Sequence, residues 1–142
     1  MTDDRTPAQP DSVVRELRIA LTVDDYERAV AFYRDGLGLA EVESWVRPDG
    51  RGTILDAGRA TLELFDPQQA DTLDAIEVGR RVSGVVRFAL RVDDSAATAA
   101  HLVEHGAVSE GDLVETPWGD RNARVRSPDG MQLTIFTAAD ET

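Results

Sequence analysis

The sequence has no cysteine and no lysine. Without cysteine there are no disulfides, no thiolate metal sites and no thiol nucleophile. Without lysine there is no Schiff-base chemistry. All 15 basic residues are arginine, a bias spread over the whole chain as a GC-rich coding preference would leave it. Basic charge is itself scarce: 27 acidic residues give a formal net charge of −12. That balance argues against a nucleic-acid partner, because phosphate binding needs net basic patches. No apolar window approaches the ~20 residues of a membrane span, so no membrane partner is expected. The polar, proline-bearing opening holds acidic residues and no apolar h-region, so it reads as a disordered tail over residues 1–14 rather than a secretory signal. The default compartment is then the cytoplasm.

What the chain does have is one phrase written twice. Leu17-Arg-Ile-Ala-Leu-Thr-Val-Asp-Asp25 returns as Val86-Arg-Phe-Ala-Leu-Arg-Val-Asp-Asp94, with Arg18 and Arg87 in the same place. Repetition at this distance means two copies of one unit. In each copy apolar residues alternate with Arg, Ala and Thr, the period-two pattern of a strand with two different faces. Each strand meets an Asp-Asp pair able to cap a helix, and Asp24 with Glu27 resembles a capping box. The first helix places Tyr26, Ala29, Val30, Tyr33 and Leu37 on one stripe and stops at Gly36-Leu-Gly38. Tyr33 and Phe32 are expected in the core. The second helix runs from Ser95 to Glu104 and stops at Gly106.

Three strand-like runs follow each helix, at 39–46, 51–57 and 60–66, then at 112–115, 120–126 and 131–137, divided by Pro/Gly/Asp turns. The unit is βαβββ. The first module spans residues 15–66 and the second 84–138. The linker, 67–83, is polar and acidic enough for a loop with room for one helical turn. The fold class is therefore α+β, two tandem βαβββ modules forming a curved mixed sheet around a cavity. Because each helix must cover one sheet face, Arg18 and Arg87 point to the uncovered one. Alternation places Thr61, Glu63 and Phe65 there beside Arg18, and Gln132, Thr134 and Phe136 beside Arg87.

Between Arg15 and Ala138 the chain resembles the vicinal oxygen chelate superfamily, the glyoxalase, bleomycin-resistance and extradiol-dioxygenase group. The carriers are the strand entering Asp25-Tyr-Glu-Arg-Ala-Val-Ala-Phe-Tyr33 and Leu37-Gly-Leu39, then Leu62-Glu-Leu64, Trp118-Gly, Arg124-Val and Ser127-Pro-Asp-Gly130. The resemblance implies paired modules curling around a cavity, in a homodimer. Metal-using members hold a divalent ion on four side chains, and the matching positions here are Arg18, Glu63, Arg87 and Thr134. Only Glu63 is a plausible ligand, since a guanidinium has no lone pair to donate and stays protonated. The remaining metal candidate, His101 and His105 at i and i+4, has no third ligand in the sequence. An exposed helix end is the plainer reading, and no metal or other cofactor is assigned.

The open face instead reads as a site for a small molecule, anionic in one version. Arg18, Arg87 and Arg91 offer forks for a carboxylate or phosphate. The alternative is that Arg18 pairs with Glu63 and Arg87 with another carboxylate, leaving the cavity self-satisfied. Trp45 and Trp118 are candidates to stack on a planar ligand at the pocket mouth, and core or interface packing is equally natural for them. Three function classes stay open. The first is a metal-independent binder. The second is a metal-free lyase or isomerase with Glu63 as base, which neighbouring arginines are expected to weaken by lowering its pKa. The third is a regulatory or scaffolding domain with a vestigial cavity.

Overall fold

In the computed structural model, which describes residues 13–139, the two copies of the repeated phrase become neighbouring strands at the centre of one sheet. The first half runs β1 (Val14–Thr22), α1 (Tyr26–Val30), β2 (Ala40–Arg47), β3 (Gly50–Asp56) and β4 (Thr61–Phe65). A helix α2 (Pro67–Val78) leads to the second half, β5 (Val86–Val92), α3 (Ser95–Glu104), β6 (Val108–Ser109), β7 (Val114–Glu115), β8 (Arg121–Arg126) and β9 (Gln132–Thr137). Residues 1–12 of the expected tail lie outside the described residues, and Val14 already belongs to β1.

The nine strands make one mixed, curved sheet in the order β2-β3-β4-β1-β5-β9-β8-β6, with β7 paired to β8. β1 lies parallel to β4 and β5 parallel to β9, whereas β1 and β5 are antiparallel. Ile19 faces Phe88, with Arg18 opposite Ala89 and Ala20 opposite Arg87. Equivalent residues of the repeat thus exchange partners about a pseudo-twofold axis through the Ile19–Phe88 pair. The outer strands obey the same symmetry: Ala20 pairs with Glu63, and its counterpart Ala89 pairs with Thr134.

The cap of α1 falls one residue later than the capping-box expectation, and that of α3 comes from the expected Asp-Asp pair. Asp25, not Asp24, accepts the Arg28 amide at 3.1 Å to cap α1, and Asp94 accepts the Ala97 amide at 3.0 Å to cap α3. A cap carboxylate reaches the amide three residues on, and the pair formed is Asp25 with Arg28 rather than Asp24 with Glu27. α1 continues as a wider π-helical turn over Ala31–Gly36. The wider turn breaks the α periodicity, and Phe32, expected inside, stands 61% exposed, while Tyr33 packs against the core.

One face of the sheet is covered by α1 and α3. Tyr26 and Val30 pack on Leu55 and Leu64, with Leu21 and Leu62 beside them. Leu102 and Ala99 pack on the buried Val92, Val125 and Ile135. Fully burying such a side chain contributes about 1.5–3 kcal/mol. The opposite face is left to its polar residues and to α2. Here the structure departs from a loop with one helical turn, because α2 has 12 residues. Asp66 caps it by accepting the Gln69 amide at 2.8 Å, Pro67 opens it, and Gly79 ends it in the left-handed conformation with φ of 77°. Ala70 and Leu73 tuck α2 against Ala20 and Phe65. Gln68 and Thr72 tie it to the β2–β3 turn through the carbonyls of Pro48 and Asp49.

Candidate functional site

The face that α1 and α3 leave uncovered encloses a cavity of about 370 Å³, and six of the residues singled out from the sequence line it: Arg18, Trp45, Glu63, Arg87, Trp118 and Thr134. For Arg18, Glu63, Arg87 and Thr134 the alternation that set the face explains the grouping, whereas Trp118 comes from the turn between β7 and β8. Arg91 is not brought to the cavity. It lies 3.8 Å from Glu16 at the far end of β5.

Glu63 is the most unusual of these residues. It is 6% exposed, its surroundings open onto the cavity, and among the described residues its carboxyl has no hydrogen-bond or ion-pair partner. Its backbone neighbours across the sheet, Ala20 and Ile54, offer nothing polar. Burial pushes its carboxyl up; Arg87 and then Arg18 pull it back through their charge; burial prevails and the pKa is raised. The expectation that the arginines lower it is therefore corrected. Both guanidiniums stand beyond ion-pair distance, where their attraction does not outweigh loss of solvent.

The two arginines are held differently. Arg18 is half-buried, bonds the Glu16 carboxylate at 2.9 Å through Nε, and lays its guanidinium over Phe136 at 4.8 Å. It does not pair with Glu63. Arg87 is 6% exposed and its one side-chain hydrogen bond goes from Nη1 to the Thr134 hydroxyl at 2.8 Å. A buried guanidinium with a single neutral acceptor has most of its donors unspent.

On the other side of the cavity stands a cluster that sequence reasoning missed. Arg124 is 1% exposed and sits between two carboxylates of α2, with Nη2 2.9 Å from Asp74 and Nε 3.0 Å from Glu77. Nη1 reaches Ser83 and Gln132, each at 3.2 Å. Glu77 also accepts from Thr134 at 2.8 Å and from Asn122 at 3.1 Å. Burial alone pushes the Asp74 carboxyl up, but the Ser83 and Val82 amides, the Ser83 hydroxyl and Arg124 outweigh it and hold it low. The signal for this cluster was present: in β8, Asn122 and Arg124 alternate with Ala123 and Val125, so they share the cavity face. The acids came from a segment read as a linker.

At the rim, Trp45 donates from Nε1 to Gln69 of α2 at 3.0 Å and leans on Phe65 at 6.1 Å between ring centroids. Gly52 lies directly beneath it, and any Cβ there would run into the indole. Trp118 is 50% exposed and bonds Asp120 at 3.0 Å. His101 and His105 stack at the end of α3 with ring centroids 4.4 Å apart, and among the described residues no third His, Asp or Glu converges on them.

The four positions where related proteins hold a divalent ion do not suit one here. Arg18 and Arg87 cannot donate a lone pair, and Thr134 is spent on Arg87 and Glu77. Among the described residues no three His, Asp or Glu side chains converge elsewhere.

Two related halves, βαβββ in the first and the same in the second with the strand after its helix split into the short β6 and β7, a continuous mixed sheet and a cavity on its inner face define a glyoxalase-type fold. The chain belongs to the Glyoxalase/Bleomycin resistance protein/Dioxygenase superfamily, whose sequence pattern matches residues 16–135. It is 28% identical over 124 residues to the uncharacterized protein YraH of Bacillus subtilis strain 168, a match covering 84% of this chain and 95% of that protein. Among solved structures it is similar to methylmalonyl-CoA epimerase from Mycobacterium tuberculosis, with a TM-score of 0.66, 19% identity and coverage of 92% and 93% of the two chains. It is also similar to a Streptomyces coelicolor methylmalonyl-CoA epimerase bound to 2-nitronate-propionyl-CoA, with a TM-score of 0.64, 24% identity and coverage of 90% and 96%. These likenesses concern the fold.

Proposed function

We propose that the protein is a metal-independent binder of a small organic anion, held in the cavity between Arg87, Arg18 and Glu63. The observation that supports this reading above the others is the pairing state of the cavity wall. Arg87 is buried with one neutral acceptor, and a carboxylate or phosphate on its free donors would satisfy it at little conformational cost. Trp45, Phe65 and Phe136 supply apolar surface for the rest of the molecule, the usual composition of a small-ligand site. A screen of carboxylates and phosphates by thermal shift tests it, since saturable binding to the folded state raises the melting temperature. Stabilisation by at least one such anion that disappears in Arg87→Met is the expected outcome. A wild-type protein indifferent to all of them would return the cavity to a vestigial, scaffolding role.

One observation favours a second reading, a metal-free lyase or isomerase. The Glu63 carboxyl is raised by burial and faces open space, which brings it toward the range useful for proton transfer near neutral pH. Arg87 and Arg18 would then stabilise the charge developing on a substrate oxygen. The readings part at Glu63→Gln: an enzyme loses turnover and keeps substrate binding, whereas a binder has no turnover to lose.

A further inference from the structure

The cavity's charges fall into closed sets with two members left over. Glu77 is closed by Arg124, Thr134 and Asn122. Arg18 is engaged by Glu16. Asp120 accepts from Trp118 and from the Ala139 amide. On β2, Glu43 and Arg47 stand at the exposed rim, and Arg47 covers the Trp45 ring at 5.6 Å. What remains is the cation Arg87, bonded to a hydroxyl, and the carboxyl Glu63, bonded to nothing.

These two groups cannot both be served by an ordinary anion if Glu63 is ionised, because the incoming charge would compete with Glu63 for the same guanidiniums in a site shielded from water. They are both served if Glu63 carries a proton. Its hydroxyl then becomes a donor aimed into the cavity, and Arg87 is free to take the anion. Resting on the anion-binding reading above, we propose that the ligand is a monocarboxylate taken up together with one proton from solvent, its carboxylate on Arg87 and the proton on Glu63, which donates a hydrogen bond to the bound oxygen.

The charge count also sets the ligand class. A monoanion matches the single buried cation without a carboxylate; a dicarboxylate brings a second charge that falls to Arg18, already on Glu16, or to Arg47 at the exposed rim. The raised carboxyl of Glu63 agrees with this arrangement. The groups facing it are Arg87 and Arg18, which favour its ionised form, and Glu16 and Glu43, which oppose it.

The test uses acetate, small enough to enter whatever the shape of the natural ligand, with the full chain. Carbon-detected NMR of the glutamate carboxyls, assigned by their loss in Glu63→Gln, follows the Glu63 midpoint with and without acetate, while calorimetry gives affinity against pH. The Glu63 midpoint is expected to move up when acetate binds. Acetate affinity is expected to fall about tenfold per pH unit between the free and bound midpoints. Malonate is expected to bind at least about tenfold more weakly than acetate, the worth of one poorly met charge. In Glu63→Gln the fall with pH should vanish, so that this variant exceeds wild type at alkaline pH. Acetate binding that leaves the Glu63 midpoint in place, or lowers it, overturns the proton coupling while the anion-binding reading survives. If acetate, formate and benzoate perturb neither Glu63 nor the Arg87 guanidinium at any pH, both fail.

Discussion

The two halves of the sheet answer the same structural question in opposite ways. Across the pseudo-twofold axis Glu63 corresponds to Thr134, and the strand beyond each supplies its neighbour: Ile54 faces Glu63, and Arg124 faces Thr134. In the second half, the neighbour is a cation and α2 brings Asp74 and Glu77 to it, so the charges around Thr134 are met within the chain, Arg87 of β5 excepted. In the first half, the neighbour is apolar and the buried carboxyl is left alone. A buried charge is tolerable when its own fold closes it, and an open one persists where something outside the fold completes it. The asymmetry separates the closed cluster around Arg124 from the open pair, Glu63 of the first half and Arg87 of the second, that is available to a ligand.

Breaking the closed half should have the largest effect. Arg124→Leu leaves Glu77 buried without its counterion and Asp74 with only Arg81 at 3.8 Å, a loss of about 3–5 kcal/mol. Measured by urea unfolding, the midpoint should drop accordingly. A variant as stable as wild type would mean that α2 is held by its apolar contacts and caps alone, and the contrast between the halves would lose its energetic basis.

The open pair should respond in binding rather than folding. Arg87→Met keeps the length of the side chain and removes the donors, and acetate affinity should fall by about 2 kcal/mol or more, roughly 30-fold. Stability should change far less than in Arg124→Leu, because Arg87 closes no carboxylate. Calorimetry and urea melts on one sample check both halves of the statement.

The pH dependence of stability sharpens the comparison, because the two halves have opposite signs. Asp74 holds its proton less tightly folded than unfolded. Its contribution is present above the ordinary carboxylate range and disappears as pH falls through the lowered folded value. Asp66, held low by the amides of Gln69 and Arg51 and by the Arg51 guanidinium against the push of burial, behaves likewise. Glu63 binds its proton more tightly when folded. Stability is therefore lost as pH rises from the ordinary glutamate value to the raised one. Glu63→Gln should be more stable than wild type on the alkaline side of that window, and the advantage should vanish in acid. Equal pH profiles for the two proteins would remove Glu63 from the buried, unpaired state.

Much of this arrangement was legible in the sequence, for a physical reason. Period-two alternation and a repeat place Arg18, Glu63, Arg87 and Thr134 on one face whatever their partners, because a strand has only two faces. The helix α2 was not legible by the same rule. Its buried side chains include Gln69, Asp74 and Glu77, so it has no apolar stripe, and an amphipathic test passes it by. Its signals were the local ones, Asp66 and Pro67 at the start and Gly79 at the end. The sign of the Glu63 shift was out of reach too: it depends on whether guanidiniums one and two strands away come within ion-pair distance, which spacing along the chain does not determine.

The smallest effect belongs to the rim, where the tryptophans repeat the contrast between the halves. Trp45, in the first half, is fixed by Gln69 and by Gly52 beneath its ring, while Trp118, in the second, stands 50% exposed beside Asp120. Trp118→Ala should alter stability by no more than about 0.5 kcal/mol, the range for an exposed side chain with one surface hydrogen bond. It should remove the red-shifted part of the fluorescence and leave a single emission from Trp45. Acetate, bound beside Glu63 and Arg87 on the same side as Trp45, should then alter that remaining signal with the same saturation as in calorimetry. If the change instead disappears with Trp118, the anion sits at the mouth and the open half of the cavity is not where it binds.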